Sequence, residues 1–382
     1  MTFIFWISAV ALFYTYLGYP LFLALHAKLS ADKVKKDMAH KPNISVIISA
    51  YNEEDHIEQK IENLLRSDYP PEKFEILVGS DGSNDKTAEI LSHLSKNKVK
   101  VFVFPDRRGK PSVLNDLVGK AGGDVLVFCD ARQLFDKNAI SQLAANFADD
   151  KVGCVSGELV FEKSDSDNGV SEGVGFYWNY EKMMRKSESA VHSMIGATGA
   201  IYAIRRKLYT PLPKDTILDD VATPLAIVRQ GYRSVWDEEA RAYDKPAFTP
   251  EEEYRRKVRT LAGNYQAFSL FRDLLVPCKS PVAIYFISHK LLRVLAPFFM
   301  ISLFVSNLFI SGQYPYSFFF ICQIIFYVLA ILGSFTYETK RKRLIAKIAS
   351  TAYMFCLLNF TAIAGLHRFI TGKQNIAWEK SK

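Results

Sequence analysis

Ile44-Ser45-Val46-Ile47-Ile48-Ser49-Ala50 runs directly into Tyr51-Asn52-Glu53-Glu54. A short run of β-branched and small apolar residues, closed by a polar cluster, has the pattern of a parallel strand buried on both faces. Working outward from it, the pattern repeats. Ile57, Ile61, Leu64 and Leu65 recur at helical spacing, with Asn52 as a candidate cap and Pro70-Pro71 as the stop. Residues 74–78, 99–104 and 125–129 read as further strands, and 87–94, 113–118 and 139–147 as helices between and after them. This alternation implies an α/β fold with a mostly parallel sheet and right-handed crossovers. Ligands of such sheets bind beyond the carboxyl ends of the strands. There the chain places Tyr51-Asn52-Glu53-Glu54, then Asp81-Gly82-Ser83-Asn84-Asp85, then Asp130-Ala131-Arg132. Neither GxGxxG nor GxxxxGK[ST] is present, which argues against a dinucleotide fold and a P-loop. Acidic residues converging on one edge suit a divalent ion bridging a diphosphate, with a carboxylate left for base chemistry.

The charge distribution separates two kinds of partner. Forty-eight Lys and Arg against forty Asp and Glu give +8 over 382 residues. Residues 281–382 hold eleven basic and two acidic side chains, whereas 1–280 hold thirty-seven and thirty-eight. The excess therefore sits in the most apolar quarter of the chain, which excludes nucleic acid as partner and points to membrane lipids. Cys129, Cys154, Cys278, Cys322 and Cys356 are odd in number and lack CxxC spacing, so free thiols are expected.

Residues 2–27 contain no charged side chain, and about 20 apolar residues cross a bilayer core. The stretch lacks a basic leader and is too long and aromatic for a cleaved signal, so it reads as a retained transmembrane helix. Lys28, Lys33, Lys35 and Lys36 follow it and would hold the next segment in the cytoplasm. Residues 295–310, 314–336 and 345–366 are further apolar runs, while 281–293 reads as a helix lying at the interface. Ser311–Pro315 carries no basic residue and reads as external; Lys340-Arg341-Lys342-Arg343 reads as internal. A full crossing by 345–366 would carry Arg368, Lys373, Lys380 and Lys382 outside, so that segment reads either as a span or as a re-entrant pair. The layout is a transmembrane helix (1–27), a cytoplasmic domain (28–280), and an interfacial helix with transmembrane segments and a basic tail (281–382).

Pro42–Glu54 followed by Val78-Gly79-Ser80-Asp81-Gly82-Ser83 resembles the opening of family-2 glycosyltransferases of the GT-A fold. The layout is similar to that of the membrane-embedded cellulose, chitin and hyaluronan synthases. The resemblance implies an inverting transferase in the inner (plasma) membrane. It would move a sugar from a UDP-sugar donor to a hydroxyl of a growing polysaccharide or lipid-linked glycan, aided by Mg²⁺ or Mn²⁺.

Residue by residue, the resemblance gives Asp81 a bond to the uracil ring, with Tyr51 and Glu53 flanking the nucleotide. Lys110, in Gly109-Lys110-Pro111, would lie near the diphosphate. Asp130 stands at the first acid of the family's Asp-x-Asp element and would be the metal ligand, but position 132 is Arg rather than Asp. Asp219-Asp220 matches the family's acidic pair, with Asp220 the general base. Thr198, Gly199 and Ala200, together with Asp219, would meet the acceptor. Arg256 and Arg259 fall where the processive enzymes carry Gln-x-x-Arg-Trp, and both are assigned to the nucleotide-sugar; Thr260 replaces the Trp that stacks beneath the acceptor. Trp178 and Tyr180 suit either sugar stacking or packing. On the residues alone, Glu53 and the Asp219-Asp220 pair also suit helix first turns, Lys110 a solvated side chain, and 255–259 a lipid-facing basic cluster. Two other readings stay open: a non-processive transferase acting on a polyprenyl-linked glycan, and a non-catalytic membrane subunit of an assembly system.

Overall fold

The computed structural model describes residues 1–95, 98–161, 169–244, 250–277, 280–336 and 344–372. The chain divides into two units. One is built on a sheet, from the described parts of Ser30–Lys163 and Glu188–Lys245. The other is helical and gathers Met1–Leu29, Ser164–Ser187 and the described part of Pro246–Gln374. The hydrophilic block thus contributes to both units.

In the sheet unit, β1 (Ile44–Ala50), β2 (Phe74–Asp81), β3 (Val99–Phe104) and β4 (Val125–Cys129) are parallel neighbours in the order β3-β2-β1-β4. β5 (Leu134–Phe135), β6 (Val152–Phe161), β7 (Tyr202–Arg205) and β8 (Arg233–Asp244) continue it as β7-β6-β8-β5, with β7 antiparallel to both β4 and β6. The sheet is therefore mixed but mostly parallel in its first half. Val46, Ile47 and Ile48 are fully buried, as are Leu77, Val78, Leu126 and Val127. Each such side chain contributes about 1.5–3 kcal/mol of burial. The helix Lys110–Lys120 packs on β1 and β2, while Ala139–Ala145 and Asp219–Arg229 pack on β6 and β8.

Register decides where the chemistry can lie. Ala50 pairs with Ser80, and Ile48 with Cys129, so Tyr51, Asp81 and Asp130 leave the sheet at one edge. Asn52 does not cap a helix there. The helix starts at Ile57, and Asn52 sits at φ 54° with its Oδ1 accepting the Asn84 N–H at 2.8 Å. Its carboxamide serves the loop after β2 rather than the helix that follows it.

In the helical unit, four helices among the described residues are long and apolar enough to cross a membrane: Thr2–Leu29, Ala283–Ile310, Tyr316–Phe335 and Ile345–Thr371. Residues 281–293 do not form a separate interfacial helix: from Ala283 they run without a break into Ile310, with one wider turn at Phe286–Leu291. Leu344–Thr371 is one continuous helix of 28 residues rather than two half-spans. At 1.5 Å per residue it measures about 42 Å, more than the hydrocarbon core requires. Lys340–Arg343, Lys373, Lys380, Lys382, Cys278 and the Trp178 side chain lie outside the described residues. Polar contacts tie these helices together: Tyr14 to Ser288 at 2.8 Å, and Tyr16 to Asn359. Glu181, on the helix Gly169–Val191, is buried against Arg293 at 2.8 Å and His289 at 3.1 Å. Burial opposes its charge, but His289 and the Arg293 guanidinium beside it outweigh burial and hold its carboxyl well below the usual range. The Tyr180 hydroxyl donates to the Tyr16 carbonyl, and its ring lies 5.1 Å from the Arg293 guanidinium, so this tyrosine packs within the helical unit.

Gly157 marks the tightest point of the second half-sheet. A Cβ there would stand 2.3 Å from the Ala240 carbonyl oxygen, at an irregularity in the β6–β8 register. Gly157→Ala is expected to destabilise the protein by about 1–3 kcal/mol, seen as a melting transition lowered by several degrees. An unchanged transition would contradict the close approach.

Candidate functional site

The first three strand ends are laced before any ligand arrives. The Asn52 N–H donates to Ser83 Oγ at 3.2 Å, Glu53 N–H to Thr87 Oγ1 at 2.8 Å, and Glu54 N–H to Asp85 Oδ2 at 3.2 Å. In return the Lys86 N–H donates to Glu54 Oε2 at 3.0 Å. Glu53 is buried by this lacing, and Tyr51 lies with the Arg107 guanidinium 3.6 Å above its ring. Such reciprocal side-chain-to-backbone bonds hold a loop pair rigid.

Asp81 ends β2 almost fully buried. Its Oδ1 accepts the Arg108 N–H at 2.8 Å and its Oδ2 the Gly109 N–H at 2.9 Å. Each oxygen retains a further acceptor position. Gly109 sits at φ 86° and begins the helix Lys110–Lys120. Gly82, at φ 63°, comes so close to Arg107 that a Cβ would meet its nitrogen at 2.6 Å. Two positive-φ glycines and one carboxylate thus aim Lys110.

Lys110 Nζ lies 2.9 Å from Asp130 Oδ1 and 3.2 Å from Asp219 Oδ1. Burial opposes the ammonium, but Asp130, Asp219 and Asp220 outweigh it and raise its pKa. Asp219 and Asp220 open the helix Asp219–Arg229. Asp219 is buried, and its Oδ2 accepts from the Tyr202 hydroxyl at 3.3 Å. Burial first, then Asp219 and Asp220, push that phenol well above its ordinary range. Asp220 is half-buried and faces Gly199, where a Cβ would stand 3.1 Å from its Oδ2. The Ala197 N–H donates to the Asp220 carbonyl at 2.7 Å, and Thr198 N–H to Ser156 Oγ at 2.9 Å, so the turn through Ala200 packs on the helix start. Of two adjacent acids, Asp219 is buried and Asp220 half-buried.

Of the expected site residues, Tyr51, Glu53, Asp81, Lys110, Asp130, Thr198, Gly199, Ala200, Asp219 and Asp220 therefore belong to the sheet unit, with Lys110 touching two of the acids. Arg256 and Arg259 belong to the helical unit, on the helix Pro250–Leu270. Beside them the Thr260 hydroxyl donates to the Arg256 carbonyl at 2.9 Å. Arg132 pairs with Asp244 at 2.7 Å, a partner the sequence reading did not contain. Lys60 was also missed, although a signal existed: it is a lysine on the buried stripe of Ile57, Ile61 and Leu64. Among the described residues no group of three or more His, Cys, Asp or Glu could hold a metal ion. Asp130 fits a divalent ion as a single protein ligand, the remaining positions falling to phosphate oxygens and water.

Residues 45–210 match the model of glycosyl transferase family 2. The chain is 25% identical over 283 residues to a poly-beta-1,6-N-acetyl-D-glucosamine synthase of Staphylococcus aureus, covering 69% of this chain and 68% of that one. It is 26% identical over 245 residues to a probable glycosyltransferase, YdaM, of Bacillus subtilis, covering 61% and 57%. A mannosyltransferase of Pyrobaculum calidifontis, solved with GDP-Man and Mn²⁺, superposes with a TM-score of 0.71 at 22% identity over 96% of this chain and 99% of that one, which shows the GT-A fold.

Asp81→Asn tests the aiming of Lys110. An amide accepts one of the two N–H bonds and turns its NH₂ toward the other. A loss of about 1–3 kcal/mol in stability is expected, with faster hydrogen exchange at the Arg108 and Gly109 amides. Unaltered hydrogen exchange at both amides would contradict it.

Proposed function

We propose that the chain is a family-2 glycosyltransferase that carries out inverting transfer of a sugar from a UDP-sugar to a hydroxyl of a growing polysaccharide or lipid-linked glycan. The observation that carries it is the Lys110 ammonium shared by Asp130 and Asp219, with the half-buried Asp220 next in the chain. It joins a diphosphate-binding side to an acceptor side. The polymer named for the staphylococcal relative supports an N-acetylhexosamine as the transferred sugar.

In this reading Lys110 takes the diphosphate; the nucleotide-sugar role of Arg256 and Arg259 rests on the sequence motif alone. Tyr51, Glu53 and Asp81 line the nucleotide. A divalent ion, Mg²⁺ or Mn²⁺, when bound at Asp130, would neutralise charge on the phosphate oxygens. The acceptor hydroxyl lies over the Thr198–Ala200 turn, where Gly199 leaves room beside Asp220. Asp220 removes the hydroxyl proton as the oxygen attacks the anomeric carbon. The bond to the UDP oxygen breaks on the opposite face, so the anomeric configuration inverts. Asp219, buried and bonded to Tyr202 and Lys110, holds the helix start that carries the base. The four apolar helices would seat the enzyme in the inner membrane, the sheet unit on the cytoplasmic side, among lipids.

Thr260 favours a second reading for product length. A threonine bonded to its own helix offers no ring to stack on an acceptor sugar, so single or short additions to a lipid-linked glycan fit better than long polymers.

Purified protein in detergent, given a panel of UDP-sugars and GDP-mannose with Mg²⁺ or Mn²⁺, is expected to release UDP. Asp220→Asn is expected to slow release by about 10²–10⁴-fold. Full activity of that variant would remove Asp220 as base, and release of GDP alone would overturn the donor class. Sizing the product distinguishes single addition from a polymer.

A further inference from the structure

The residues directly after Asp130 are gripped from two sides by groups outside the site described above. Lys60 is completely buried, at a position where the helix Ile57–Leu65 would otherwise place an aliphatic side chain. Its Nζ donates to the Gln133 carbonyl at 2.7 Å and lies 3.8 Å from the centre of the Phe135 ring. One turn on, Asn63 Nδ2 donates to the Phe135 carbonyl at 3.0 Å, and its Oδ1 accepts the Phe135 N–H at 2.7 Å. From the other side comes Asp244, the last residue of β8 and itself buried. Its Oδ2 accepts from Arg132 Nη2 at 2.7 Å and from Gln133 Nε2 at 2.9 Å.

A buried ammonium is expensive unless it is bonded, and a buried carboxylate likewise. Both are tolerated here around a single short turn. That turn departs from the acid-x-acid pattern: position 132 offers a guanidinium where a second carboxylate would otherwise bind a metal. Arg132 also spans to Asp244 rather than standing free, so its charge is matched within the protein.

We infer that Lys60, Gln133 and Asp244 are positioning residues for the transfer, holding the turn after Asp130 so that its carboxylate meets Lys110 without a second acid at position 132. In this arrangement Arg132 is a strut between the turn and β8. The inference rests on the reading of Asp130 as a donor-side group, but the clamp itself can be tested without turnover.

The test uses the full-length protein in detergent and the variants Lys60→Met, Asp244→Asn, Arg132→Met and the double variant Arg132→Met/Asp244→Asn. Hydrogen–deuterium exchange across residues 131–136 is the first readout. About tenfold faster exchange is expected in Lys60→Met and Asp244→Asn, the loss of one charge-assisted bond. Release of nucleotide is the second readout: Asp244→Asn and Arg132→Met are each expected to lower kcat/KM for the donor by about tenfold. Together they are expected to lower it no further than the worse single variant, because the Arg132–Asp244 bond is shared by both. A merely structural role would lower the melting temperature and leave kcat/KM of the folded protein intact. Should Lys60→Met fail to fold, the half-exposed Arg132 still supplies a variant that folds. Unchanged exchange over 131–136 in Asp244→Asn, or multiplicative effects in the double variant, would overturn the clamp. A wild-type protein that turns over no donor would sink the proposed reaction, and the exchange data would still decide the clamp.

Discussion

One ammonium group organises the sheet unit: Lys110 Nζ, 2.9 Å from Asp130 and 3.2 Å from Asp219. Parallel strands with matched register bring acidic residues to one edge, and like charges so close require a counter-charge. Lys110 supplies it, and its placement is determined by its neighbours. Asp81 binds two successive backbone N–H groups ahead of it, and Gly109 makes the turn at φ 86°. A ligand with a diphosphate would meet this ammonium already aimed, which is preorganisation in the electrostatic sense.

The same edge shows a division of labour between acids. Asp81, Asp219 and Asp244 are buried and bonded, and each orients a neighbour. Asp130 and Asp220 are half-buried, and the proposed reaction places them at the diphosphate and at the acceptor hydroxyl. The helical unit follows a similar logic on a different scale. There the buried Glu181 is paired with Arg293 and His289 of the helix Ala283–Ile310.

Much of this was legible in the chain. β1 and β4 begin and end where the apolar, largely β-branched runs do, because a strand buried on both faces tolerates little else. Asp81 and Asp130 follow from the rule that such sheets work at their carboxyl edge, the Asp219-Asp220 pair came from the family resemblance, and a mostly parallel GT-A sheet was the fold expected. Other features were hidden for physical reasons. Arg132 and Asp244 are 112 residues apart, and only sheet pairing of β5 with β8 brings them together. Asn52 has the composition of a cap, yet its positive φ turns it toward the next loop. Residues 281–293 mix aromatics with His289, Lys290 and Arg293, which resembles an interfacial face; the charges are compatible with a continuous helix because His289 and Arg293 bind Glu181. Leu344–Thr371 was ambiguous because charge at its ends spoke against a crossing that its length permits.

The most direct measurement is calorimetric titration of UDP, with Mg²⁺, into the detergent-purified wild-type protein and into Lys110→Met. If Lys110 is the cation that receives the donor diphosphate, the variant binds UDP at least about tenfold more weakly, as expected for loss of a charge-assisted contact. Equal affinity in the two proteins would contradict the account.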